Sequence, residues 1–126
     1  MKNNLLAIHH VSFIVQDTQA SIDFYTQILG VSINKQRPDL GYAGAWLDVN
    51  EYQQIHLLEL PNPDPIHNRP VHGGRDRHVA FSVANLQLII DKLEYAKITY
   101  SLSKSGRRAL FFRDLDGNAI ELIEAK

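Results

Sequence analysis

The sequence predicts an α+β protein made of two tandem β-α-β-β-β modules, and three observations predict it. The segment His10-Val-Ser-Phe-Ile-Val15 returns 68 positions later as His78-Val-Ala-Phe-Ser-Val83, and extending the match through Tyr25 and Leu93 gives seven identities in sixteen aligned positions. Each copy is followed by a second matching segment, Ile55-His-Leu-Leu-Glu59 or Ile120-Glu-Leu-Ile-Glu124. Between the two segments of each copy lies an amphipathic stretch with helical spacing. One unit therefore occurs twice, over 8–60 and 77–124, joined by a linker at 61–76 within a single domain.

The first strand of each module alternates with period two. Val11, Phe13 and Val15 take one face, and His10 and Ser12 the other; Val79, Phe81 and Val83 oppose His78, Ala80 and Ser82. Each Val-Phe-Val face is predicted to bury under the helix that follows. In module one Asp17 or Thr18 caps a helix carrying Ile22, Tyr25, Ile28 and Leu29, which Gly30 can end. In module two Asn85 caps a helix carrying Leu86, Ile89, Ile90 and Leu93. Three strand-like runs follow each helix, about 31–36, 42–49 and 54–60, then 98–102, 108–113 and 119–124. Between the modules, 61–75 holds four of the five prolines and two adjacent glycines, a composition that continues neither a helix nor a central strand. It reads as the linker or as a flap over a site. Asp114-Leu-Asp-Gly-Asn118 reads as a turn between the last two strands; its glycine falls too early for a calcium loop of the EF-hand kind.

Composition narrows the chemistry. A chain of 126 residues suits one compact domain or two small modules sharing a core. With 44% hydrophobic and 21% charged residues and a formal net charge of −1, nothing argues for a nucleic-acid partner. No run approaches the roughly 20 apolar residues of a membrane span, and the first residues are too short an apolar run for a signal peptide, so a cytoplasmic location is expected. There are no cysteines, so disulfides, thiolate-held metal and cysteine nucleophiles are excluded. Any metal must be held by imidazole and carboxylate.

The repeat places His10, His56, His78 and Glu121 at equivalent positions, which makes them one candidate set of metal ligands. Period-two alternation turns His56 and Glu121 away from the helix-packed side of their strands. An ionised Glu121 between apolar neighbours on a central strand is costly unless its charge is compensated, and a divalent cation would do so. Neutral imidazoles with one carboxylate suit zinc, nickel, manganese or iron(II). His9 is expected near solvent at a strand start, and His67 and His72 exposed in the linker. Three further residues are candidates for substrate contact. Ser12 shares the face of His10 and can bond a substrate oxygen, although a strand serine is often merely tolerated. Trp46 either walls a pocket or packs in the core. Arg77, like Arg75, can reach an anionic substrate.

Taken together, Ile8-His-His-Val-Ser-Phe-Ile-Val15, Ser21-Ile-Asp-Phe-Tyr-Thr-Gln-Ile-Leu-Gly30, His78-Val-Ala-Phe-Ser-Val83 and Asp114-Leu-Asp-Gly-Asn-Ala-Ile-Glu-Leu122 resemble the vicinal oxygen chelate superfamily over nearly the whole chain. That superfamily includes glyoxalase I, fosfomycin thiol transferases, extradiol dioxygenases and bleomycin-binding proteins. The resemblance implies two β-α-β-β-β modules whose strands form a curled mixed sheet around a cleft, a divalent metal at the cleft floor, and a homodimer. It carries His10, His56, His78 and Glu121 onto the family's ligand positions. Bacterial glyoxalase I is similar but has Glu where this chain has His56; extradiol dioxygenases and fosfomycin transferases use three ligands matching His10, His78 and Glu121. Leu115 replaces the proline usual in the final turn.

The expected function is a glyoxalase-I-like lyase or isomerase acting on a small oxygenated substrate, with Glu121 as ligand and catalytic proton carrier. An extradiol-type dioxygenase or fosfomycin-type thiol transferase is the alternative. A non-catalytic bleomycin-type binding protein is an alternative of another class, against which four intact ligand candidates argue.

Overall fold

The computed structural model describes residues 3–126. The chain forms β1 (His10–Ile14), α1 (Thr18–Leu29), β2 (Ser32–Asn34), β3 (Gly44–Asp48) and β4 (Gln54–Leu58), then β5 (His78–Val83), α2 (Leu86–Tyr95), β6 (Tyr100–Leu102), β7 (Ala109–Arg113) and β8 (Ala119–Glu124). The strands make two four-stranded sheets of matching order, β1-β4-β3-β2 and β5-β8-β7-β6. In each sheet the first strand runs parallel to the last, while the remaining pairs are antiparallel. The α+β fold predicted from the repeat is the fold observed.

Local chemistry explains the helices. The Asp17 carboxylate accepts from the backbone N–H of Ala20 at 3.0 Å, so Asp17 rather than Thr18 is the cap of α1. Gly30 closes the helix in the left-handed region, φ 72°, with its N–H on the Thr26 carbonyl, a conformation that favours glycine. Asn85 caps α2. Ser21, Phe24, Tyr25 and Ile28 are the buried positions of α1, and Leu86, Ile89 and Leu93 those of α2. Phe24 is a core contributor that the apolar spacing did not single out.

The inner faces of both sheets and both helices share one apolar core. Phe13, Val15, Leu47, Ile55 and Leu57 enter it from the first sheet, and Leu110, Phe112, Ile120 and Leu122 from the second. Each such side chain contributes roughly 1.5–3 kcal/mol when fully buried. The modules also interlock through polar groups. The Tyr25 hydroxyl donates to Asp114 at 2.6 Å, the Gln16 N–H to Asp116 at 2.9 Å, and the Asn118 side-chain amide to the Ile14 carbonyl at 3.3 Å. Among the described residues no strand pair joins the two sheets, so they stay separate and open; side chains of the shared core, not a backbone ladder, hold the modules together.

The linker is pinned to the second sheet. A short 3-10 turn, Gly73–Arg75, lies against β7 and β8, so close that a Cβ on Gly73 would stand 3.4 Å from the Cβ atoms of Ala119 and Phe111. His72, expected to be exposed, is half-buried: its Nδ1 accepts from the Gly74 N–H at 3.0 Å and its ring packs on Phe111 with centroids 4.8 Å apart. Burying Phe111 on the outer face of the sheet is what draws this histidine in. Among the described residues no helix is long and apolar enough to cross a membrane.

Candidate functional site

Strand register sets the two halves of the candidate site at equivalent points. In the first sheet His56 lies opposite Ser12 on one side and Trp46 on the other. In the second, Glu121 lies opposite Ala80 and Phe111. His10 stands two residues before Ser12 and His78 two before Ala80, so each first-strand histidine is diagonal to the last-strand candidate on the same outer face. The equivalence of the four residues, inferred from spacing, is therefore a geometric one.

In module one the imidazoles of His10 and His56 stack, with centroids 3.8 Å apart and planes within 14°. Trp46 stacks on His56 at 4.8 Å and 11°. Strand order puts β4 between β1 and β3, so His56 is sandwiched between the other two rings. Burial in that stack, reinforced by His10, His9 and Arg37 as potential positive neighbours, lowers the pKa of His56 to about 4 and keeps it neutral at pH 7. Its Nε2 lies 2.8 Å from Oε1 of Gln54, whose amide nitrogen is in turn held by Asp48 at 3.0 Å. Nε2 is thus the donor, and Nδ1 carries the lone pair. The Nδ1 atoms of His9 and His10 are 2.9 Å apart, which leaves Nε2 of His10 available. Trp46 is half-buried on this outer face, a wall beside His56 rather than a core aromatic.

In module two Nδ1 of His78 lies 2.8 Å from the Asp76 carbonyl. A carbonyl only accepts, so Nδ1 carries the proton and Nε2 faces Oε1 of Glu121, 3.3 Å away. Glu121 is 4% exposed and adjoins Phe111; its other oxygen is 3.3 Å from Nη2 of Arg107. Behind His78 stands an ionic clamp. Arg69 bonds both oxygens of Asp76 at 2.8 and 3.1 Å, and Arg113 bonds Oδ2 at 2.8 Å and the Gly117 carbonyl at 2.7 Å. Hydrogen bonding from Arg69, more than the opposing cost of burial, holds the Asp76 carboxyl well below the usual carboxylate range.

Ser12 and Arg77 line one groove of about 300 Å³ together with His78, Asn62, Asp64 and Asn118. Arg77 is paired there with Asp64 at 2.6 Å. The structure thus joins His10 to His56 and His78 to Glu121. Among the described residues no three His, Asp or Glu side chains converge where a metal could sit. Each pair stands on a face turned away from the core that the modules share. Sequence reasoning missed Gln54, Asp76, Arg69, Arg113 and Arg107. Gln54 and Asp76 each precede a candidate histidine by two residues, a spacing that could have flagged them.

Comparison with known proteins places the chain in a family. The model of the Glyoxalase/Bleomycin resistance protein/Dioxygenase superfamily matches residues 7–122. Glyoxylase I 4 of Arabidopsis thaliana is 31% identical over 124 residues, covering 94% of this chain and 71% of that protein. Lactoylglutathione lyase of Escherichia coli O157:H7 is 30% identical over 124 residues, covering 93% of this chain and 91% of the lyase. The crystal structure of a glyoxalase/dioxygenase from Nostoc punctiforme superposes with TM-score 0.73 at 26% identity, covering 100% of this chain and 99% of that one. By a family match that spans both modules, the chain belongs to the Glyoxalase/Bleomycin resistance protein/Dioxygenase superfamily.

Proposed function

We propose that the chain is a metal-dependent enzyme of the glyoxalase I kind, a lyase or isomerase acting on a small oxygenated substrate. In this reading His10, His56, His78 and Glu121 are the ligands of one divalent ion, and Glu121 also carries the proton. The observation that supports it most is the contact of His78 with Glu121. His78 donates its Nδ1 proton to the Asp76 carbonyl and turns Nε2 toward a buried carboxylate oxygen 3.3 Å away, which sets two metal-ligating groups side by side. An imidazole nitrogen and a carboxylate so placed are ligand atoms that one divalent cation can take together. The donor set fits zinc, nickel, manganese or iron(II). His56 fits too, because its Nε2 proton is occupied by Gln54, the kind of outer partner that ligating histidines usually have.

When bound, such an ion acts as a Lewis acid toward negative charge developing on substrate oxygens. Glu121, shielded from water beside Phe111, takes a proton from the carbon next to a carbonyl and returns it to the adjacent carbon, which converts a thiol adduct of a 2-oxoaldehyde into a thioester. Trp46 and Phe111, at equivalent positions of the two sheets, wall the substrate. Ser12 and Arg77 bind its polar groups from the groove beside His78.

Because one chain supplies two pairs on separate sheets, the reading includes a homodimer in which module one of one copy meets module two of the other. Metal analysis combined with sedimentation tests it. One divalent ion per chain and twice the 14.3 kDa chain mass are expected, with metal lost in His78→Ala. A monomer at micromolar concentration, or full metal content in both His10→Ala and His78→Ala, overturns it. Oxygen-dependent activity with no turnover of 2-oxoaldehyde–thiol adducts would favour the dioxygenase instead.

A further inference from the structure

The loop between β6 and β7, residues 103–108, brings Arg107 over the His78–Glu121 pair. Most arginines around the two halves have a short contact with a partner away from the His78–Glu121 pair. Arg108 pairs with Glu124 at 2.7 Å, Arg77 with Asp64 at 2.6 Å, and Arg69 and Arg113 both clamp Asp76 at 2.8 Å. Arg37 donates to the Tyr42 carbonyl at 2.9 Å and lies over the Tyr42 ring. Arg107 is held differently. Nη2 reaches Oε2 of Glu121 at 3.3 Å, and Nε reaches the Ser105 hydroxyl at 3.3 Å. Its side chain is 59% exposed whereas that of Glu121 is 5% exposed. A long, hydrated arm thus leans in from solvent to neutralise a carboxylate that is buried.

We propose that Arg107 is a displaceable counter-ion: it neutralises Glu121 while no metal is held, yields that carboxylate to an incoming divalent ion, and then binds an anionic group of the substrate, a carboxylate, at the mouth of the site. The inference rests on the single-ion site proposed above, of which the His78–Glu121 metal pair, two ligands of that one ion, is the half concerned here. A divalent ion on Glu121 satisfies the carboxylate and repels the nearby guanidinium, so the pairing that held Arg107 inward is lost. Most of the arm is already hydrated, and turning it outward breaks only two long contacts. A guanidinium released there offers a planar fork of donors that matches a carboxylate in two-point geometry.

Calorimetric titration of zinc into the metal-free full chain tests the first half. Arg107→Gln should bind zinc about five-fold more tightly than wild type, the scale of a partly exposed ion pair removed from competition, and Arg107→Lys should stay near wild type. Wild type that binds zinc with Arg107→Gln no tighter overturns the counter-ion role and leaves the metal pair standing. Zinc bound by neither protein removes the metal pair and the inference with it. The second half uses two chelators with vicinal oxygens, catechol and 3,4-dihydroxybenzoate, on the zinc-loaded proteins. Wild type should prefer the carboxylate-bearing compound by about tenfold, and Arg107→Gln should lose that preference. An undiminished preference in Arg107→Gln overturns the anion-binding role.

Discussion

Asp76 holds the ring of His78 through its backbone carbonyl, 2.8 Å from Nδ1, while its own carboxylate is gripped by Arg69 and Arg113. The orientation of a candidate ligand is therefore set by an ion pair in the linker. Asp76→Ala strips two half-buried arginines of their partner and should cost about 3 kcal/mol of stability, the scale for breaking a buried pair. Metal affinity should fall ten- to a hundred-fold with it, as for lost outer partners of metal-binding histidines. Urea denaturation and zinc titration measure the two effects. A stability loss with zinc affinity intact would show that the clamp serves the linker alone.

Glu121→Gln separates holding the metal from moving the proton. An amide oxygen can still coordinate, so part of the metal should remain, while proton-transfer turnover should fall roughly 10²–10⁴-fold. Bound metal and turnover of methylglyoxal–thiol adducts, measured on one preparation, decide it. Activity that tracks metal content and returns on adding metal would leave Glu121 as a ligand only.

His56 carries a pH dependence of stability in the metal-free protein. Its folded pKa of about 4 lies below the ordinary 6.5, so between these values the unfolded chain binds a proton that the folded chain refuses. Stability should fall as pH is lowered from about 6.5 toward 4, with no further loss from this residue below that. Urea midpoints in the presence of a chelator should show a shallower slope for His56→Gln than for wild type over this range. Equal slopes would mean that the ring stack does not hold His56 neutral.

Tyr25→Phe removes the hydroxyl that donates to Asp114 at 2.6 Å across the two modules. Asp114 keeps the backbone N–H groups of Asp116 and Asn118, so the loss should be about 2 kcal/mol, the scale of one hydrogen bond to a charged group. Because the modules share one core, denaturation should stay a single transition with an unchanged slope on denaturant. A second transition would mean that this bond couples the modules and the core does not.

The strands and the equivalence of the candidate ligands were legible because both are matters of period and register. A two-residue period puts His10 and Ser12 on one face, and a repeat of the pattern puts His78 and Ala80 at the same place in a second sheet. How the sheets meet was not legible. Chain length pointed to a shared core and the Val-Phe-Val faces were expected under helices, but neither shows that the two pairs stand apart within a chain. The clamp on Asp76 was hidden for another reason: its partners Arg69 and Arg113 are 7 and 37 residues away, and the link to His78 runs through a backbone carbonyl. Arg107 was hidden because a loop of serines, glycine and cations reads as solvated until its distance to Glu121 is known.

Trp46, lying flat on His56, is the only tryptophan of the chain. Indole emission is quenched by a stacked imidazole once that ring becomes a cation or binds a paramagnetic ion. The intrinsic fluorescence of the protein is thus an optical gauge of one half-site, read without a label and insensitive to the other half. Events at His56 can be followed on the millisecond scale in a stopped-flow cell, and those at Glu121 remain dark unless the two halves are brought together.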